Sequence, residues 1–360
     1  MELDELTDNL MNEVVNAPSF PIQDMLSKVL AEVKAHKKIM VAVSGGSDSD
    51  ILMHAIHMLD PEKKAVYVFH NTGLETDATK RHLAELAEKY GVEIEWGDPI
   101  LPIPNCCRKY GVPFWSKRVS EYIYRLQKHG FTWEDRPFDE LYEKYPRCKA
   151  ALRWWCNEYQ KKDDGSESSL NIAYVPFLKE YLIEFPPPMP ISAKCCQKAK
   201  KDPARKYEKE HDFDLTCTGL RKAEGGSRAT AFKSCFTQSY SGPDSFRPLF
   251  WLTDKDKRDY KEHYGIVNSD CYEVWGMTRT GCCGCPYGKE FEKELELLQK
   301  HEPKFYRAAL KIFGASYEYT RGYLRFREEM KKKIAKQTSS EYEQIGIEEI
   351  IEEQSINKED

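Results

Sequence analysis

The sequence predicts a doubly wound α/β fold built on a mostly parallel sheet, with helical insertions and a helical C-terminal region. Three observations carry that expectation. Apolar stretches of strand length recur at Lys38–Val43, Ala65–His70 and Val92–Trp96, with helical patterns between them. The connections are short, as strand–helix–strand units require. The turn Ser44-Gly45-Gly46-Ser47-Asp48-Ser49 leads straight from the first apolar strand into a helix.

Taken in order, Gln23–His36 reads as an amphipathic helix with Met25, Val29, Leu30 and Val33 on one face. Lys38–Val43 reads as a buried parallel strand, and Ser49–Leu59 as an apolar helix. The strand Ala65–His70 ends in the polar turn Asn71-Thr72-Gly73, and Thr76 suits the cap of a helix running to Tyr90. Beyond the third strand, Ser116–His129 and Phe138–Glu158 read as helices. Lys161–Ser169 reads as a solvated loop, and the prolines of Phe185–Pro190 demand extended chain. Ser192 is placed to cap a basic helix through Lys209. Asp214–Thr218 is a short strand and Phe246–Trp251 a further candidate. Helices are expected over Tyr287–Lys300, Pro303–Phe313 and Tyr317–Lys336, then an acidic tail that is a weak helix or a disordered end.

The 360 residues can bury a large core. With 41% hydrophobic and 31% charged residues, the composition is that of a soluble chain. A formal charge of -5 argues against a globally basic nucleic-acid binder while leaving room for local basic patches. No apolar run approaches the roughly 20 residues that span a bilayer. The opening MELDELTDNL has no basic-then-apolar leader, so no membrane association and a cytoplasmic location are expected. Twelve cysteines, several adjacent (Cys106–Cys107, Cys195–Cys196, Cys282–Cys283), suit metal or redox chemistry in a reducing compartment.

Four motifs carry chemistry. In Ser44–Ser49, Gly45 and Gly46 let backbone N–H groups approach an anion. Ser44, Ser47 and Ser49 add hydroxyls, and the helix that follows aims its positive end at the same place. No Gly-Lys-Ser/Thr follows, so this is not a Walker A loop. The second motif, Phe69–Thr76 (FHNTGLET), lies where a strand of an open α/β sheet ends, the usual place for a ligand. The third, Thr218–Arg228, offers Arg221 and Arg228 as guanidinium partners for an oxyanion. In the fourth, Cys195-Cys196 precede a distant Thr280–Gly288 (TGCCGCPYG), where Cys282 and Cys285 stand in CxxC spacing. Two thiolates at that spacing can reach one metal centre, and a lone cysteine elsewhere is as readily a small buried hydrophobe.

The loop SGGSDS resembles that of the PP-loop superfamily, whose members include ATP pyrophosphatases and sulfonucleotide (PAPS and APS) reductases with the adenine nucleotide alpha-hydrolase-like fold. Phe69–Thr76 looks like the "TGxExPET" element of the PAPS-reductase relatives without its proline. Thr218–Arg228 resembles "GxRxxES..R" with Gly225 and Gly226 intruding before Ser227. Trp251, Thr253 and Asp256 resemble the helix start "PLxxWTxxDV". The resemblance implies a phosphate-binding set of Ser44, Gly45, Gly46, Ser47, Asp48 and Ser49, with Thr72, Gly73 and Glu75 also toward the nucleotide. Asp48, with a magnesium ion, Arg221 and Arg228 take catalytic roles in that reading. It further implies a 4Fe–4S cluster on Cys195, Cys196, Cys282 and Cys285, with Cys235, Cys271 and Cys283 in reserve and zinc as the alternative metal.

The expected organisation is an N-terminal helical segment (1–37) and a nucleotide-binding domain (38–288) with a helical insertion at about 106–190 and the cysteine cluster. C-terminal helices (289–337) and an acidic tail (338–360) follow. Three functions are carried forward. The first is an ATP pyrophosphatase-type sulfurtransferase. It cleaves ATP at the α-phosphate and activates an acceptor, which could be a nucleic acid, for sulfur from a separate donor. The second is a PAPS or APS reductase working on an adenylyl sulfonucleotide and releasing sulfite. No cysteine follows Cys285 to serve as its usual C-terminal nucleophile, which leaves Cys106 or Cys107. The third is a nucleotide-binding partner protein without turnover. A homodimer is compatible with all three.

Overall fold

A computed structural model describes residues 3–225, 231–288 and 290–356, with side chains over the span 8–337. Among the described residues, strands β1 (Ile39–Val43), β2 (Ala65–His70), β3 (Ile94–Gly97), β4 (Leu215–Thr218), β5 (Phe236–Thr237) and β6 (Asp244–Phe246) form one sheet. Its order is β3-β2-β1-β4-β6-β5, and only β5 runs antiparallel to its neighbour. The predicted doubly wound, mostly parallel sheet is therefore present. From β1 the chain winds outward to β2 and β3, then returns to lay β4 on the other side of β1. The crevice between the ends of β1 and β4 is thus the point where winding reverses, and there open α/β sheets bind ligands.

The chain divides into two compact units, one comprising the chain up to Lys109 with Lys194–Ile312, the other Tyr110–Ala193 with the chain from Phe313 onward. The first holds the sheet. β1 is buried almost throughout because helices cover both faces, which explains its unbroken apolar reading. Helices Phe20–Ala35 and Ser47–Leu59 press Ile22, Met25, Leu26, Val29, Ile51, Leu52 and Ile56 into its core. Helix Asp77–Tyr90 starts at Thr76, whose hydroxyl accepts from the Thr79 N–H, and ends at Gly91 in the left-handed region. A cap invisible to local sequence joins it: the Glu302 carboxylate accepts from the N–H groups of Asp77 and Ala78, both at 2.8 Å.

The second unit is helical and aromatic. Phe114, Trp133, Tyr145, Trp154, Trp155, Tyr181, Tyr319 and Tyr323 share its core. Their polar ends find backbone acceptors: Trp155 Nε1 donates to the Glu134 carbonyl, Tyr181 to Tyr319 and Tyr323 to Pro176. Such a core is rich in large rings that can be buried only if each N–H or O–H is satisfied.

The structure departs from the sequence pattern in four places. Phe138–Glu158 is not one helix but Phe138–Lys144 and Lys149–Trp155, because Pro146 interrupts the ladder. The strand expected over Phe246–Trp251 ends at Phe246, and Pro248–Trp251 forms a 3₁₀ turn. The basic helix after Ser192 passes through a π segment at Gln197–Lys201, where Asp202 N–H bonds the Gln197 carbonyl. Pro203, lacking an N–H, cannot donate to the Ala199 carbonyl, which accounts for the wider turn. Finally, Pro303–Phe313 and Tyr317–Lys336 belong to one helix, Pro303–Ile356. Gly314 does not end it, because Ser316, Tyr317, Tyr319 and Tyr323 are all buried and hold the helical register. No helix among the described residues is long and apolar enough to cross a membrane.

His54 offers a check on the packing of the first unit. Its ring accepts or donates at 2.8 Å to the Tyr260 hydroxyl and lies against Tyr264. Burial, with Lys89 nearby, pulls it down to about 4. The unfolded chain therefore takes up this proton first as pH falls below about 6.5. Stability present above that value is lost toward pH 4, by about 3 kcal/mol if the whole shift is realised. Urea unfolding from pH 7 to pH 4 should show that loss, and His54→Gln should flatten it.

Candidate nucleotide and thiol site

The loop after β1 occupies the crevice just described. Gly45 sits in the left-handed region at φ 62°, and a Cβ there would lie 2.8 Å from Thr79 Cγ2, so only glycine fits. A Cβ on Gly46 would enter a hollow bounded by three hydroxyls, Thr280 Oγ1 at 3.0 Å, Ser44 Oγ at 3.3 Å and the Tyr272 oxygen at 3.4 Å. Ser49 Oγ accepts from the Ser44 N–H at 2.8 Å and so pins the loop's two ends together. Ser44 is exposed, while Ser47 and Ser49 are buried. From the loop after β4, Gly219 comes so close that a Cβ would stand 2.9 Å from the Asp48 carbonyl. That approach brings the neighbouring Arg221 onto the loop.

Arg221 is almost wholly buried. Its Nε donates to Asp48 Oδ1 at 3.0 Å, and its Nη1 reaches Asp254 Oδ1 at 2.9 Å and the Leu252 carbonyl at 3.4 Å. Lys257 Nζ lies 2.7 Å from the same Asp48 oxygen, and Lys261 Nζ donates to Ser47 Oγ at 3.4 Å. On the other side, Tyr272 receives the Thr280 N–H at 3.0 Å and the Ser47 N–H at 3.4 Å. Beneath the loop, Asp50 is buried against His82 Nε2 at 2.9 Å, and burial raises its carboxyl above the usual range. The site is therefore a polar hollow with hydroxyls on one wall and cations on the other. Arg228 lies outside the described residues.

The second motif has a different local job from the one its position suggests. Thr72 and Glu75 are both buried, with the Thr72 N–H and hydroxyl donating to the two Glu75 oxygens at 2.9 and 2.6 Å. Only Gly73, at φ 83°, faces solvent. The turn is tied to the cysteine loop: Cys283 N–H donates to the Leu74 carbonyl at 2.7 Å, and Thr72 Oγ1 stands 3.6 Å from Cys282 Sγ.

Five thiols gather beside that turn. Cys195 is hydrogen-bonded to Cys107 and Cys196, and the bond with Cys107 pushes its thiol up. Burial pushes Cys285 up to about 12, with Cys282 and Cys196 contributing. Lys200, from the π segment, sits where Cys282, Glu75, Cys196 and Cys285 all act on its charge, and it opposes the upward push of burial on Cys282. The four cysteines expected to act together are thus neighbours, and Cys107 joins them from a helix, Ile103–Tyr110, that the sequence did not connect to them. The three reserves do not. Cys271 is held by Thr76 and Thr79 beside Trp275, Cys283 packs on Leu298 and Phe305, and Cys235 lies next to β5. Among the described residues, no three His, Cys, Asp or Glu side chains stand together as ligands of a single ion.

Sequence reading missed Lys257, Lys261, Tyr272, Thr280, Lys200 and Cys107. Lys257 and Lys261 carried a faint signal, one helical turn apart just after Asp256.

Residues 18–99 match the family model ATP_bind_3, described as a PP-loop domain. The chain carries a PP-loop domain. The matched span includes β1, the glycine loop, its helix and β2 through β3. No curated protein matches the chain. Among solved structures, a phosphoadenylyl-sulfate (PAPS) reductase from Candida auris in a phosphate complex aligns at 15% identity and a TM-score of 0.38. It covers 78% of this chain and 96% of its own. A U34-tRNA thiolase from Methanococcus maripaludis with its 4Fe–4S cluster aligns at 13% identity and a TM-score of 0.34, over 84% of this chain and 80% of its own. At those scores neither likeness carries anything over to this chain.

Arg221 is the buried cation that joins three segments of this PP-loop domain and its neighbourhood. Replacing it with alanine removes a donor from the Leu252 carbonyl and leaves Asp48 to Lys257 alone, and should cost about 2–4 kcal/mol in chemical denaturation. Arg221→Lys should recover only part of that, because an ammonium cannot span Asp48, Asp254 and the carbonyl together.

Proposed function

We propose that the protein is an ATP-dependent enzyme of sulfur transfer. It binds ATP at the PP-loop, releases pyrophosphate as an acceptor oxygen attacks the α-phosphate, and so prepares that acceptor for a sulfur nucleophile. The observation that carries the reading is the coupling of two sites through one turn. The PP-loop domain ends β2 in Thr72–Glu75, and the same turn touches the thiol group through Cys282.

Each residue has a defined part. Backbone N–H groups around Gly45 and Gly46 and the first turn of helix Ser47–Leu59 take the phosphates. Arg221 opposes charge that grows on the leaving oxygens. Asp48 offers a hard carboxylate suited to magnesium, which would need Lys257 to leave Oδ1. Catalysis in this scheme is positioning and charge stabilisation, with the acceptor supplying the nucleophile.

Mutually adjacent thiols, Cys195 buried and Cys196, Cys282 and Cys285 half-buried, suit a thiolate-bound iron–sulfur cluster better than a hard cation. Cys195, Cys196, Cys282 and Cys285 would hold it, with Cys107 adjoining. When bound, such a cluster supplies iron to which an incoming sulfide can bind. Lys200 holds positive charge against the thiolates from the side of Glu75.

The reductase alternative needs an accessible thiolate near the nucleotide. Cys106 is wholly buried, its thiol pushed up to about 11 by burial, and Cys107 is buried on Cys195. These observations favour adenylation.

Calorimetry with ATP and magnesium should show binding that Gly46→Val abolishes while circular dichroism is unchanged. Anaerobically purified protein should absorb near ~400 nm and contain iron and sulfide; colourless protein with stoichiometric zinc would replace the cluster by a zinc site. Intact-mass spectrometry after incubation with PAPS or APS should show no adduct. A sulfonate on Cys106 or Cys107 would establish the reductase instead.

A further inference from the structure

We propose that Lys257 and Lys261 form a second wall of the phosphate site that recognises the terminal phosphates of the nucleotide and the pyrophosphate it releases. The proposal deepens the ATP reading above and rests on it. It starts from the helix Asp254–Tyr264, which is capped by its own Thr253 and Asp256: Thr253 N–H and Oγ1 donate to Asp256 Oδ2 at 2.8 and 2.6 Å. That cap uses the residues that the sequence had linked to a family motif and fixes the helix's rotation. One face, Asp254, Lys257 and Lys261 at spacings of three and four, is thereby turned to the glycine loop. The opposite demand on the helix is met by Tyr260, wholly buried and bonded to His54.

The contacts of this face are with the first turn after the loop. Lys257 stands on Asp48 and Lys261 on Ser47, the two side chains that open helix Ser47–Leu59. Arg221 reaches Asp48 from β4's side and Asp254 from below. Three fixed positive charges thus face two carboxylates, Asp48 and the largely exposed Asp254, before any ligand arrives. Two further carboxylates lie nearby, Asp50, turned to His82, and Glu273, held by Asn268, and both act on Lys261. Cations clustered beside backbone donors form a site for a dense anion. A phosphosulfate places one phosphate and one sulfate there, whereas ATP places a β,γ-pair with more negative charge. Two lysines in addition to Arg221 match the latter.

The placement also gives each lysine a distinct task. Lys261 touches only a hydroxyl, so a phosphate oxygen can replace Ser47 without breaking an ion pair. Lys257 is already paired, so it must exchange Asp48 for phosphate, and a magnesium ion arriving at Asp48 would drive that exchange. Lys257 then contributes most when the metal is present, and Lys261 contributes with or without it.

Isothermal titration of the full-length protein with ATP, inorganic pyrophosphate and AMP, each with and without magnesium, tests the assignment. The variants are Lys257→Gln, Lys261→Gln and, as a control, Lys255→Gln, whose exposed amine pairs with Asp259 on the outer face. Lys261→Gln should weaken ATP and pyrophosphate about tenfold in both conditions, Lys257→Gln should do so chiefly with magnesium, and AMP should change less than about twofold. Lys255→Gln should change nothing. Unchanged pyrophosphate affinity in folded variants, or equal losses for AMP, overturns the lysine wall while leaving ATP binding intact. If the unaltered protein binds neither ATP nor pyrophosphate, the ATP reading and the wall fall together.

Discussion

One carboxylate holds the arrangement together. Asp48 sits in the first turn of the helix that follows the glycine loop, where a negative charge is favoured by the helix dipole. Through Oδ1 it takes both Arg221 and Lys257, so the loop of β1, the loop of β4 and the helix Asp254–Tyr264 meet at a single oxygen. Few of these partners are tolerable without it. Arg221 is nearly excluded from water, and without Asp48 its buried guanidinium would keep only the largely exposed Asp254, at a cost on the order of a few kcal/mol. The sheet order makes the meeting possible, because only a strand returning beside β1 can deliver Gly219 to within touching distance of Asp48.

This explains which parts of the site could be read from sequence. The glycine loop is local. Its left-handed Gly45, its strand before and its helix after are consecutive, so the pattern of residues is the pattern of structure. The same holds for β1 and β2, whose apolar runs reflect burial on both faces. Arg221 was legible as a type of residue at a strand end, but its partners Asp48 and Asp254 are set by the winding of the sheet. Lys257 and Lys261 were legible only as two lysines one helical turn apart. Their helix reads as a charged surface element, and nothing local says that one stripe of it faces a loop more than two hundred residues earlier.

The thiols show the same division more sharply. CxxC spacing places Cys282 and Cys285 together without help from the fold. Cys195 and Cys196 join them only because the segment after residue 193 returns to the nucleotide-binding unit. Cys107 is a different case. It stands in the last residues before the chain leaves that unit, so both edges of the long excursion, Cys107 and Cys195, are thiols hydrogen-bonded to one another. A reading that treats Cys106–Cys107 as a separate pair near the third strand misses that the chain closes on itself there.

The turn Thr72–Glu75 supplies the remaining constraint. Glu75 spends both oxygens on Thr72 and is buried, which holds the end of β2 in one conformation. A buried carboxylate of this kind demands a nearby positive charge, and Lys200 meets it from a π segment that exists because Pro203 cannot complete a normal turn. The charge of Lys200 also acts on Cys282. Its charge therefore answers to two masters, the turn that ends the nucleotide-binding strand and the thiols beyond it. The turn itself is held by Thr72, so what the lysine shares between Glu75 and the thiols is charge.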